Sequence, residues 1–154
     1  MTMEKAQWLQ LLLGDVAAFN EYRRANPKET VDLSDSDLSK ANLRGAFLAD
    51  ANLAHVALAG ADLTKANLSS ANLRNANLQG ADMTDVTLHR SDLTGADVRG
   101  AKVGGLVGEG RMCLHPACFE NVLYDKAQLE GALQVLNRNK AWQINYELVP
   151  KDSQ

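Results

Sequence analysis

From Leu33 to Val103 an aliphatic residue recurs every five positions: Leu33, Leu38, Leu43, Leu48, Leu53, Leu58, Leu63, Leu68, Leu73, Leu78, Met83, Leu88, Leu93, Val98 and Val103. The residue two before each is Ala, Val or Ser. A step of five turns an α-helical side chain through about 140°, so these residues would scatter over every face of a helix and bury on none. On a continuous strand side chains alternate with a period of two, and residues five apart point to opposite faces in successive repeats. Neither regular element satisfies the pattern. A short extended piece followed by a corner does, with the small residue and the aliphatic one both facing a common interior. Each repeat is then one side of a coil, and backbone groups not used at corners pair with the coil above and below at the ladder spacing of about 4.8 Å. The periodicity predicts a β-solenoid.

Between the small and the aliphatic residue stands Asp or Asn in most repeats: Asp32, Asp37, Asn42, Asn52, Asp62, Asn67, Asn72, Asn77, Asp82, Asp92 and Asp97. Facing outward, these short acceptors are expected to bond nearby backbone amides at the corners, stabilising turns rather than doing chemistry. The run ADLTKANLSSANLRNANLQG, which is A(D/N)LxxA(D/N)Lxx in general form, resembles the pentapeptide-repeat family. That resemblance implies an all-β core, a right-handed quadrilateral β-helix with four repeats per coil. Fifteen repeats would then make a little under four coils, a rod roughly 18 Å tall.

Three segments follow: an N-terminal helical cap over residues 1–30, the solenoid over 31–105, and a linker with a C-terminal helix and strand cap over 106–154, all one folded unit. A solenoid exposes unpaired backbone at both ends and needs caps against end-to-end association. In the N-terminal flank Trp8, Leu9, Leu12 and Leu13 share a helical stripe. Gly14 can end that helix, and Asp15 can cap a second one carrying Val16, Phe19 and Tyr22 up to Asn26-Pro27. In the C-terminal flank Asp125 and Gln128 resemble a capping box ahead of Leu129, Leu133 and Leu136. Trp142, Ile144, Tyr146 and Leu148 then alternate as in a half-buried strand that could pair with the last coil's open edge. The aromatics concentrate in these flanks and leave the array nearly bare.

Composition argues against several partner classes. Lys and Arg number 16 against 19 Asp and Glu, for a formal net charge of -3, and no basic cluster suited to a phosphate backbone is present, so direct nucleic-acid binding is not expected. The N-terminus has only a three-leucine apolar block with Glu4 before it, too short and polar for a signal core or a membrane span. A cytoplasmic location and no membrane contact are expected.

No catalytic constellation is legible, and neither an enzymatic activity nor a cofactor is expected. His55 and His89 fall on adjacent sides of the solenoid at different heights, too far apart for one site. Ser34, Ser69 and Ser70 have no base in a recognisable arrangement. GGLVGEG at 104–110 has glycines but no Lys-Ser/Thr, and reads as an exit linker. Cys113, His115 and Cys118 could supply three zinc ligands or a thiol redox pair. Their spacing is not that of a standard finger and no fourth ligand is nearby, so packing as small apolar residues under the C-terminal cap is the favoured reading.

The departures from the repeat are more informative for binding. Phe47 replaces the outward Asp or Asn, with Ala49 on the same face, and Ala57 with Ala59 and Gly60 leaves another face smooth and uncharged. These residues are the candidate interaction surface, although the N-terminal helices could instead cover Phe47, and Ala57 could be surface drift. Thr87 is a milder departure, and Lys102 marks the fading end of the array. A non-enzymatic protein-protein interaction or scaffold protein, monomeric or homodimeric, is the expected function, with a protein partner. The family implies an alternative, mimicry of duplex DNA in binding DNA gyrase. The array's nine Asp against seven Lys and Arg leave little net charge for such mimicry, and its central residues are Leu, where the gyrase-binding branch often has Phe.

Overall fold

The computed structural model describes residues 3–102. Two helices come first, α1 over Lys5–Gly14 and α2 over Val16–Ala25. The α1 start is held where the Glu4 amide donates to Gln7 Oε1 at 2.8 Å. Asp15 separates the helices and caps the second, its Oδ1 accepting from the amides of Ala17 and Ala18. This is the N-cap role expected of it.

The helical stripe is corrected at one end. Trp8 and Leu12 are buried, Leu9 is half-buried, and Leu13 is 53% exposed. Leu13 sits one position beyond the i, i+4 pair Trp8 and Leu12, which rotates it off the buried face. In α2 Phe19 is buried, and Trp8 meets Phe19 and Tyr22 edge to face at centroid distances of 6.0 and 5.6 Å.

Beyond the helices each repeat from Asp32 to Asp82 pairs in parallel with the repeat twenty residues later. The ladders run Asp32–Asn52–Asn72–Asp92, Asp37–Ala57–Asn77–Asp97, Asn42–Asp62–Asp82–Lys102 and Phe47–Asn67–Thr87. A coil is therefore twenty residues and four repeats, one repeat per side. We number the sides one to four from Val31, Ser36, Ala41 and Ala46. Coils are joined by backbone bonds of 2.7–3.0 Å: the central Leu and the last residue of a repeat donate upward, and the residue before the Leu donates downward. Leu33 N–H, for example, reaches Asn52 C=O, while Asn52 N–H reaches Val31 C=O.

The interior is filled by the two inward positions of each repeat. All the central residues from Leu33 to Val98 are buried, as are Ala46, Ala51, Val56, Ala61, Ala66 and their successors. A small and a large residue thus alternate across the narrow shaft, the pattern that close packing of an interior calls for. Ser36 and Ser91 are the polar exceptions: the Ser91 hydroxyl donates to Leu68 C=O at 2.8 Å and that of Ser36 to Ser34 C=O at 3.3 Å, so neither is left unsatisfied. Trp8, Leu12 and Phe19 belong to the same core, which makes the helices its lower plug.

The thirteen corners from Leu38 to Val98 are β-turns, each closed by a bond of 2.8–3.3 Å from the next small residue's amide to the carbonyl of the central aliphatic residue. The last residue of every repeat has positive φ, from Asp35 (55°) to Gly100 (71°). Positive φ at the third turn residue alone is the mark of a type II turn. Five of these residues are Gly, but nine are not, among them Lys40, His55, Lys65 and Arg90. An L-residue there is strained by about 1–2 kcal/mol. In return its amide points along the solenoid axis and bonds the coil above, as His55 N–H does to Arg74 C=O at 2.8 Å.

Candidate functional site

The outer walls carry the polar chemistry of the molecule. All eleven Asp and Asn residues at the outward position accept, through Oδ1, the amide of the residue two later, at 2.9–3.3 Å. Each forms an Asx turn that sets up the type II corner after it. On side one the amides also form a ladder, with Asn52 Nδ2 donating to Asp32 Oδ1 at 3.0 Å and Asn72 Nδ2 to Asn52 Oδ1 at 3.1 Å. Three wall carboxylates are ion-paired: Asp92 with Arg74 and Asp82 with Lys102, both at 3.0 Å, and Asp97 with Arg99. Lys102, the expected fading end of the array, thus still completes the side-three column.

These bonds depress the aspartate pKa values. Hydrogen bonds from Thr84 and then Lys102 hold Asp82 down at about 2, and those from Arg99 chiefly do so for Asp97, also at about 2. The amide and hydroxyl of Ser34 lower Asp32, those of Ser39 lower Asp37, and the hydroxyl and then the amide of Thr64 lower Asp62. For Asp92 burial pushes upward, but bonds from Thr94 and Arg74 outweigh it. The folded values lie below the unfolded value of about 3.9, so these carboxylates favour the folded state above that pH and lose their contribution as pH falls through the folded values. The expected result is a Tm that holds level above about pH 5 and drops between about pH 4 and about 2. Replacing Asp82 and Asp97 together by Asn should shrink that drop in a thermal melt series, because an Asn keeps the turn bond, as Asn72 and Asn77 do, and has no charge to lose.

The lower rim of the first coil is where helices and solenoid meet. Lys5 Nζ donates to Ser34 C=O at 2.7 Å and to Ser34 Oγ at 3.1 Å. Asn20 Nδ2 donates to Gly45 C=O at 3.0 Å while its Oδ1 accepts Phe47 N–H at 2.8 Å. Arg23 is 4% exposed, and its Nη2 donates to Ala49 C=O at 2.8 Å and its Nη1 to Glu29 C=O at 2.6 Å. Burial pulls the guanidinium pKa down, and Asp50 and Glu29 hold it up. None of these three polar residues was legible as functional from sequence. The available signal was that Arg23 lies on the Val16, Phe19, Arg23 stripe of α2, a cation where the pattern asks for an apolar residue.

The candidate interaction residues are distributed over two regions. Phe47 and Ala49 adjoin α2. Phe47 is half-buried with its amide held by Asn20, and Ala49 is 8% exposed beneath Arg23. Ala57 and Ala59 lie on side two, both half-buried, with Ala57 between Asp37 and Asn77 in its column. The structure does not bring the two pairs together. His55 and His89 are both exposed, on sides one and four. Cys113, His115 and Cys118, the 106–154 cap and Val103 lie outside the described residues. Among the described residues no group of three or more His, Cys, Asp and Glu could hold a metal, and no described helix is long and apolar enough to cross a membrane.

A family model for pentapeptide repeats matches residues 32–69 and 66–105, in 8 copies. The chain carries a pentapeptide-repeat domain. Proteins of this family fold as right-handed quadrilateral β-helices, and the twenty-residue coil with four sides agrees with that architecture. Among solved structures, a pentapeptide repeat protein from the Arabidopsis thaliana thylakoid lumen is 28% identical over 68% of this chain and 72% of its own, with a TM-score of 0.52. The pentapeptide repeat protein Rfr23 of the cyanobacterium Cyanothece 51142 is 28% identical over 62% of this chain and 60% of its own, with a TM-score of 0.49. Full-length QnrB1, a plasmid-mediated fluoroquinolone resistance protein, is 20% identical over 71% of each chain, with a TM-score of 0.26. Only the first superposes closely enough to bear on the fold. Among curated proteins none matches the chain.

Proposed function

We propose that this pentapeptide-repeat protein is a non-enzymatic binding scaffold, a rigid rod whose walls dock a protein partner. Its solenoid takes the right-handed turn of its family, and the chain acts in the cytoplasm. The observation that supports this reading is the use made of the outward acceptors. Every outward Asp and Asn is tied to its own turn amide, so the walls present a regular surface rather than a convergent set of acids, bases or nucleophiles. That regularity is interrupted at Phe47 and Ala57, where apolar groups stand in the acceptor columns.

The substitutions Phe47→Asp and Ala57→Asp test it with little structural disturbance, because an Asp at either position can make the same turn bond as its neighbours in the column. Captured partner from the native host is expected to fall at least about tenfold, a loss of about 1.4 kcal/mol, for one or both variants. Equal capture by both, with unchanged far-UV spectra, removes these faces from consideration. Duplex-DNA mimicry finds less support, since three wall carboxylates are neutralised by Arg74, Arg99 and Lys102. A gyrase supercoiling assay unchanged by added protein would end that alternative.

A further inference from the structure

Side one carries a ladder of side-chain amides, and side two repeats its upper and lower rungs without the middle one. On side one Asn52 stands between Asp32 and Asn72 and bonds both. Its Oδ1 accepts Asn72 Nδ2 at 3.1 Å from above and the turn amide of Ala54 at 3.3 Å, while its Nδ2 donates to Asp32 Oδ1 at 3.0 Å below. One carboxamide thus satisfies two donors and one acceptor.

The flanking rungs on side two match those on side one. Asp37 is followed by Leu38 and Ser39 as Asp32 is by Leu33 and Ser34, and its Oδ1 accepts the Ser39 amide at 2.9 Å, against 3.0 Å for Asp32 and Ser34. Asn77 turns its Oδ1 to the Gln79 amide at 3.1 Å, as Asn72 does to that of Arg74 at 3.2 Å. Both keep Nδ2 for a neighbouring rung. The backbone spacing is also the same: Ala57 N–H reaches Ser36 C=O at 2.9 Å and Leu58 N–H reaches Asn77 C=O at 2.7 Å, against 2.9 and 2.8 Å for Asn52 and Leu53. What differs is the middle side chain. With Ala57 there, Asn77 Nδ2 and Ala59 N–H have no acceptor among the described residues, and no side chain from the coil above donates to Asp37. Asn77 is accordingly exposed where Asn72 is half-buried, and Ala59 and Gly60 leave the approach open.

We propose that the gap over Ala57 is a binding site for a primary carboxamide, which takes the place that the Asn52 side chain has on side one. Its oxygen accepts from Asn77 Nδ2 and Ala59 N–H, and its nitrogen donates to Asp37. Charged groups meet only part of this set. A carboxylate accepts from both donors but stands directly against Asp37, a destabilising like-charge pair. An ammonium or guanidinium donates to Asp37 and has no acceptor for the two N–H groups. The source of the carboxamide rests on the reading that these walls dock a protein partner: it is an Asn or Gln side chain of that partner.

The test follows Ala59 N–H and the Asn77 side-chain NH2 of the full chain by proton–nitrogen correlation NMR, during titration with acetamide to near-molar concentration. Both signals should shift along one saturating curve. Sodium acetate at matched concentration should give no saturating shift, and N,N-dimethylacetamide, which has no N–H for Asp37, should bind at least about threefold more weakly. The variant Ala57→Asn fills the gap from within. It should lose the acetamide response, and its Ala59 N–H should exchange with solvent about fivefold more slowly, as one net hydrogen bond gives. The inference is overturned by the absence of a saturating shift at Ala59 and Asn77, by an equal response to acetate, or by a response that survives Ala57→Asn. Partner capture lost in Ala57→Asp without any acetamide response would sink this site and leave the scaffold reading standing. An acetamide response with capture unchanged would support the site and count against that reading for this face.

Discussion

Truncating Leu63 to alanine is expected to lower the unfolding free energy by about 2–5 kcal/mol, measured by chemical denaturation followed by far-UV circular dichroism. Leu63 is fully buried, in a column with Leu43 below and Met83 above, and Leu58 and Leu68 occupy the neighbouring sides. Its amide bonds Asp82 C=O, and its carbonyl closes the turn to Ala66. Those backbone bonds hold the two adjacent coils at fixed spacing, so the shaft cannot collapse onto the missing methyls and the cavity term is retained. The effect is larger here than at an end because a solenoid is stabilised through nearest-neighbour interfaces, and a defect in the middle weakens the coupling of two blocks. A cost below about 1 kcal/mol would mean that the shaft relaxes around the gap, and that the coils are not the rigid layers described above.

The second large effect is at Arg23. Replacement by alanine should cost about 2–5 kcal/mol, since hydrogen bonds from a charged donor contribute about 1.5–3 kcal/mol each and the carbonyl left behind pays its own desolvation. The carbonyls concerned belong to Glu29, which leads into the array, and Ala49, which lies on the rim. Arg23 Nε is itself buried without a partner, a cost already carried by the native state. Methionine should therefore be better tolerated than alanine: it keeps the packing of the stem and removes both the orphan donor and the buried charge, though not the need of Ala49 C=O for a donor. Denaturation of the two variants side by side checks the ranking, and an alanine variant as stable as the methionine one would show that packing of the stem contributes nothing at this position.

These two residues illustrate different degrees of legibility. Leu63 could be assigned to the interior because a spacing of five, combined with a small residue two before, has one consistent geometric solution, and that solution is local to each repeat. The same holds for the Asx turns, because an Asp or Asn reaching the amide two residues on needs no distant partner. Asp15 was readable for the same reason. The four-sidedness was not legible from the period, since a period of five is satisfied by any number of corners. It rested on the family resemblance until the bridges between residues twenty apart showed it.

Arg23, Asn20 and Lys5 could not be read from local pattern at all. Their partners are backbone atoms 25 to 29 residues away for Lys5, Asn20 and the Ala49 contact of Arg23, and a carbonyl has no sequence identity to match. Leu13 failed for a related reason, since a stripe of four apolar residues is wider than the face the rim offers. The candidate surface shows the same division. Phe47 and Ala57 stood out as breaks in a repeat, but that Ala49 is covered beneath Arg23 while Ala57 and Ala59 are half-exposed on another side depends on where α2 lands.

What the sequence by itself determined is which side chains face inward and which acceptors shape the corners, because both follow from spacing within five residues. The tertiary structure alone decided that a coil closes after twenty residues, that Lys40, His55, Lys65 and Arg90 adopt positive φ, and that Lys5, Asn20 and Arg23 bond backbone groups of the first coil. All three depend on backbone groups meeting across the fold, and backbone groups are the same in every residue, so no side-chain pattern announces them.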